Sequence, residues 1–150
     1  MHELHGYYLE DLTVGMTDIF SKTVSEADIV MFAGISGDTN PVHLSQLFAE
    51  GTIFKERIAH GMLSASFIST VLGTRLPGPG CIYLSQNLKF RAPVKAGDTV
   101  IARATVKDIN LEKKRITLET ICTVGNTVVI EGEAMLLVSA RAATAAQAAE

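Results

Sequence analysis

The sequence predicts an α+β fold in which an antiparallel sheet of about five strands wraps around one long central helix. Three observations carry this reading. The stretch from Gly61 to Gly80 is apolar or small nearly all round, four runs after Gly80 have strand character with alternating apolar residues, and Gly125-Asn126 forms a tight-turn pair between the last two runs. At 150 residues and 47% hydrophobic, the chain is long enough for one sizeable core and short for two, so a single domain over 1–150 is expected.

In chain order, an early strand is expected from about Thr17 to Thr23. "SEADIVMFAG" then reads as a helix, with Ser25 at the N-cap, Asp28 as the reciprocal capping-box acid and Gly34 as the stop. Ile29, Phe32 and Ala33 share its apolar face. "SGDTNPVH" reads as loop, because Asp and Asn close turns with their side chains and Pro41 biases Asn40 away from helical dihedrals. A short helix from about Ser45 to Glu50 follows.

In the central helix Gly61 stands at the start and Gly78, Pro79 and Gly80 at the end. Met62, Phe67, Ile68, Val71 and Leu72 are separated by Ala, Ser and Thr rather than by charge, which implies burial on more than one side. "CIYLSQNLKF" puts Ile82, Leu84, Leu88 and Phe90 on one strand face, and "DTVIARATVKDI" does the same with Val100, Ala102, Ala104 and Val106. "RITLETICTV" and "TVVIEGEAMLLVSA" complete the sheet, with a looser turn at "NLEKK". The Ala-rich tail from about 140 to 150 has helix propensity without an apolar face and is expected to fray.

A long apolar helix wrapped by such a sheet is an architecture of the hot-dog kind. One helix cannot cover both faces of five strands, so a homodimer is expected through sheet-edge pairing or helix packing. A net charge of −3 and a pI near 5.8 offer no field for nucleic acid. Cys81 and Cys122 show no zinc or disulfide spacing and read as buried, reduced thiols. The polar, acidic opening "MHELHGYYLEDLTVG" and the lack of an apolar run near the ~20 residues of a membrane span lead us to expect a soluble, cytoplasmic protein.

Asp38 and His43 lie five residues apart on one segment, and "RIAHG" places Gly61 at the mouth of the buried helix. Unpaired N–H groups and the positive end of the dipole point outward there, where they can bind an oxygen that becomes negative during reaction. Each feature also has a plain explanation. Asp38 can close an Asx turn, His43 can be a partly exposed surface group, and Gly61 can serve close packing. Together they suit hydration of a double bond conjugated to a carbonyl. That reaction takes a proton from water, delivers one to the α-carbon and stabilises an enolate oxygen, and each acid or base contributes roughly 10²–10⁴-fold.

"SGDTNPVH" followed downstream by "IAHGML" resembles the signature of the MaoC-like (R)-specific enoyl-CoA hydratases, and "IYLSQNLKFRAPVKAGD" is similar to their strand and turn after the central helix. The likeness runs from about Leu12 to Val138. It implies that Asp38 and His43 hold one water and add it across trans-2-enoyl-CoA, giving (R)-3-hydroxyacyl-CoA. It also implies that the Gly61 N–H polarises the thioester carbonyl. Asn40 is then either a loop-fixing substrate contact or a turn former, and Ser69 and Leu72 are either acyl-pocket residues or ordinary helix packing. His60, ahead of the glycine, is expected to be structural.

Coenzyme A belongs to the substrate, so no separate cofactor and no metal is expected. Lys89, Arg91, Lys95 and Arg103 are candidates for its phosphates, or simply solvated strand charges. A hot-dog thioesterase and a non-catalytic acyl-CoA-binding module are the alternatives. The first is disfavoured because no acid lies between Gly61 and Gly80, the second because Asp38 and His43 are both present. A metal held by Asp38, His43 and His60 is a third reading, with weak spacing. Acyl chain length, and a role in polyhydroxyalkanoate supply or in another pathway, stay open.

Overall fold

The computed structural model describes residues 2–141. After two short 3-10 turns the chain runs β1 (Thr17–Thr23), α1 (Glu26–Ser36), α2 (Pro41–Leu44), α3 (Gln46–Glu50), α4 (Gly61–Thr74), β2 (Ile82–Phe90), β3 (Thr99–Asn110), β4 (Arg115–Val124) and β5 (Thr127–Leu137). The strands form one antiparallel sheet in the order β1-β3-β4-β5-β2, with α4 packed on β1, β3 and β4. This is the hot-dog arrangement. The β4–β5 hairpin turns on Gly125, whose φ of 56° suits a two-residue loop.

The alternation that forms β3 and β4 also seats the helix. Val100, Ala102, Ala104 and Val106 face it from β3, and Ile116, Leu118, Thr120 and Cys122 face it from β4, all buried. The two alanines let α4 approach closely, and Phe67, Ile68, Val71 and Leu72 fill the gap between helix and sheet. No described helix is long and apolar enough to cross a membrane.

Several sequence expectations shift. Helix α1 does not stop at Gly34 but continues to Ser36, because Gly37, with φ 76°, takes the left-handed cap and gives its N–H to the Ala33 carbonyl. The Ser25–Asp28 capping box forms as expected. "SGDTNPVH" is not all loop. Pro41 takes the first position of a one-turn helix, where its missing N–H costs nothing, and Asn40 caps it by accepting the Val42 N–H at 3.1 Å.

Helix α4 ends at Thr74, six residues before Gly80, and Met62 points outward rather than into the core. In β2 the alternation breaks. Leu84 is the extra residue of a bulge, so Tyr83 rather than Leu84 shares the inner face with Gln86, Leu88 and Phe90.

Strand β2 is an edge, beyond the half of the sheet that α4 covers, and Ile82, Tyr83, Leu84 and Phe90 are exposed along it. The tail expected at 140–150 falls mostly on residues 142–150, outside the described residues. Arg141 itself is tied down, its guanidinium 2.8 Å from Asp11 and its N–H on Glu10.

Candidate active site

Asp38 leaves the α1 cap with its N–H on Ser36 Oγ at 3.1 Å, and its Oδ1 accepts the Asn40 N–H at 3.1 Å. The Asx turn anticipated from composition is therefore present, and it uses only one carboxylate oxygen. Asn40 spends its own Oδ1 on capping α2. That cap sets the direction of the turn that carries His43.

His43 is buried at 8% exposure, and its Nδ1 lies 2.8 Å from the Ile58 carbonyl. A carbonyl only accepts, so Nδ1 carries the proton and Nε2 is left for chemistry. The Ile58 carbonyl is in turn fixed by its neighbours: the Ile58 N–H reaches Val42 O at 3.4 Å and the Ala59 N–H reaches Val94 O at 2.7 Å. Arg57 ties the same segment to Glu26 of α1 at 2.7 Å.

His60 is the N-cap of α4 and is 2% exposed, with no side-chain cap bond. Its Nε2 lies 2.9 Å from the Asp38 carbonyl, and its ring stacks on His43 with centroids 3.8 Å apart. One oxygen of Asp38 and one ring nitrogen each of His43 and His60 lie within 4.8 Å of one another. The two imidazoles lie nearly face to face, tilted by 30°, so their in-plane lone pairs run side by side. A tetrahedral ion needs converging lone pairs, so this set suits proton transfer better than metal binding.

These groups open on a cavity of about 420 Å³ whose wall includes Asp38, His43, His60, Gly61, Ser64 and Phe90. Gly61 is the first residue of α4, and no hydrogen bond from its N–H is found among the described residues. A Cβ here would meet the Phe90 ring at 2.7 Å, so the side chain of Phe90 lies against this glycine. Burial pushes the Cys122 thiol up to about 12 and raises that of Cys81, so neither offers a thiolate nucleophile.

The structure thus brings Asp38, His43 and Gly61 onto one cavity, with Asn40 fixing the loop. It does not bring Ser69 and Leu72 to that cavity. Leu72 is fully buried between helix and sheet, and Ser69 lies on the exposed side of α4. Among the basic candidates, Arg91 is on the cavity wall and pairs with Glu131, and Lys95 pairs with Glu56 nearby. Lys89 joins the acidic and basic side chains of the outer sheet face, and Arg103 bonds Thr17 Oγ1 at 3.3 Å. Sequence reading did not single out Phe90 or Ser64 as wall residues. The spacing of Gly61 and Ser64, three apart on one helix face, was the available signal for the second.

Fold and site together define a hot-dog protein whose cavity is lined by a carboxylate residue, an imidazole residue and a helix-start glycine with no N–H partner among the described residues. Residues 13–131 match the model of the MaoC like domain, and the chain belongs to that family. It is 58% identical to an (R)-specific enoyl-CoA hydratase of Rhodospirillum rubrum, over 90% of this chain and 94% of that one. It is 52% identical to a 3-hydroxybutyryl-CoA dehydratase of Methylorubrum extorquens, covering 91% and 87%. Among solved structures, an (R)-hydratase from Aeromonas caviae involved in PHA biosynthesis superposes with a TM-score of 0.83 at 41% identity, covering 86% of this chain and 98% of that one.

Proposed function

We propose that this protein is a lyase that reversibly hydrates trans-2-enoyl-CoA to (R)-3-hydroxyacyl-CoA. The observation that carries the reading is the convergence of the Asp38 carboxylate, the His43 imidazole and the free Gly61 N–H on one cavity. Asp38 and His43 hold one water between them, its oxygen adds to the β-carbon, and a proton reaches the α-carbon. As charge moves onto the thioester oxygen, the Gly61 N–H and the end of the α4 dipole receive it. Every group needed is a proton carrier or a dipole, so the chemistry asks for no cofactor beyond the coenzyme A of the substrate.

Arg91, on the cavity wall, and Lys95, next in sequence to the wall residue Val94, are the basic groups we assign to the coenzyme A phosphates. The apolar, unpaired β2 edge supports a homodimer built through that strand. The free cysteines fit a reducing cytoplasm. Likeness to the A. caviae enzyme supports a role in supplying (R)-3-hydroxyacyl units from fatty-acid β-oxidation for polyhydroxyalkanoate synthesis. The test is loss of enoyl absorbance when purified protein meets crotonyl-CoA, with the product's configuration assigned. An (R) product supports the reading; free thiol without hydration would replace it with thioester hydrolysis.

A further inference from the structure

The buried side-chain polar atoms without a partner among the described residues are two, His60 Nδ1 and Ser64 Oγ. Both residues line the cavity, one as the N-cap of α4 and the other four residues on, in its first turn. Buried polar atoms are seldom left unpaired, because each carries its full desolvation cost. The two are not bonded to each other. An imidazole whose Nε2 carries the proton keeps an open lone pair on Nδ1.

The other side of the ring is fully engaged. Nε2 faces the Asp38 carbonyl at 2.9 Å, which fixes the proton on that nitrogen. One ring face stacks on His43 at 3.8 Å, and Phe32 packs against the ring with centroids 4.9 Å apart. His60 therefore touches both the backbone of the carboxylate residue and the ring of the imidazole residue. The Asp38 carboxylate is exposed at the end of a tight turn, so its aim depends on how its own backbone is held.

We propose that His60 is a positioning residue for the hydration, holding the Asp38 carbonyl through Nε2–H and the His43 ring by stacking. The proposal rests on the hydratase reading, and its test separates the two. The Asp38 carbonyl keeps the proton on Nε2, that N–H steadies the Asp38 backbone, and the stack limits rotation of His43. A displacement of about 1 Å in a reacting group can cost roughly 10²-fold in rate, which is the scale at stake.

The experiment compares purified wild type, His60→Leu and His60→Gln with crotonyl-CoA, alongside ¹⁵N NMR of the histidine rings. We expect His60→Leu to lower kcat by about 10²-fold with KM within about threefold, since binding groups stay in place. His60→Gln keeps an amide N–H toward Asp38 and recovers about tenfold of that loss. In the wild-type spectrum His60 Nε2 is protonated and Nδ1 is not. Equal losses in the Leu and Gln variants, or a proton found on His60 Nδ1 rather than Nε2, would overturn the inference. Should His60→Leu fail to fold, the Gln variant and the spectra still decide it. Absence of hydration by the wild type would instead remove the proposed function, leaving the tautomer measurement standing on its own.

Discussion

Gly61→Ala perturbs the site through one contact. The new methyl would stand 2.7 and 2.8 Å from two edge carbons of Phe90, against about 3.4 Å for ordinary contact, so the ring must retreat by about 0.7 Å or the helix end must shift. Phe90 is 52% exposed and free to swing, and Gly61 has no left-handed backbone to lose. Stability should therefore change by less than about 1 kcal/mol, since glycine replacement also lowers unfolded-state entropy. The ring forms the cavity wall beside the N–H assigned to the thioester oxygen, however, and oxyanion donors tolerate little displacement. We predict a fall of about 10- to 10²-fold in kcat/KM for crotonyl-CoA with an unchanged thermal transition. Phe90→Ala removes the clashing ring, so a double-mutant cycle should show coupling of at least about 1 kcal/mol between the two positions. Strictly additive effects, or a Gly61→Ala protein that melts rather than slows, would refute this reasoning.

Three further outcomes follow from other parts of the molecule. Chelation and dialysis should leave turnover unchanged, since the stacked rings of His43 and His60 do not converge on one ion; activity lost and restored by a divalent cation would reinstate the metal reading. The Asp28 carboxyl is held below its ordinary value by the Ser25 backbone N–H and by Lys22. Its contribution is therefore present above about pH 4 and is lost as pH falls through the lowered value, so the stability gap between wild type and Asp28→Ala, measured by denaturant titration, should close in acid. Sedimentation at micromolar concentration should give a dimer, and Leu84→Asp on the exposed β2 edge should shift it toward monomer without lowering helix content; a monomeric wild type would remove the edge-pairing proposal.

Much of this fold is legible in the sequence because its signals are local. The alternation in Val100, Ala102, Ala104 and Val106 and the capping box at Ser25 and Asp28 each depend on residues within one element. The parts that escape depend on neighbours distant in the chain. Nothing local announces the Leu84 bulge, which is set by pairing with β5, or the exposure of β2, which lies beyond the reach of α4. At the site, Asp38, His43 and Gly61 were legible because one loop and one helix mouth carry them. His60 was expected to be structural, and its bond to a backbone 22 residues away has no signature in spacing. Ser69 and Leu72 were carried over by resemblance alone, and in this chain they sit on the far reach of α4 from the cavity.

The central claim is that a carboxylate at position 38 moves the protons of hydration. Its most direct test is the initial rate of enoyl loss from crotonyl-CoA for Asp38→Asn beside wild type at equal folded concentration. The amide can still close the Asx turn through its oxygen, so the fold and the Asn40 contact should survive while proton transfer is lost. We predict a rate reduced by about 10²–10⁴-fold with the circular dichroism spectrum unchanged. A folded Asp38→Asn enzyme that hydrates at the wild-type rate would contradict the assignment of Asp38 and, with it, the mechanism built on the Asp38–His43 pair.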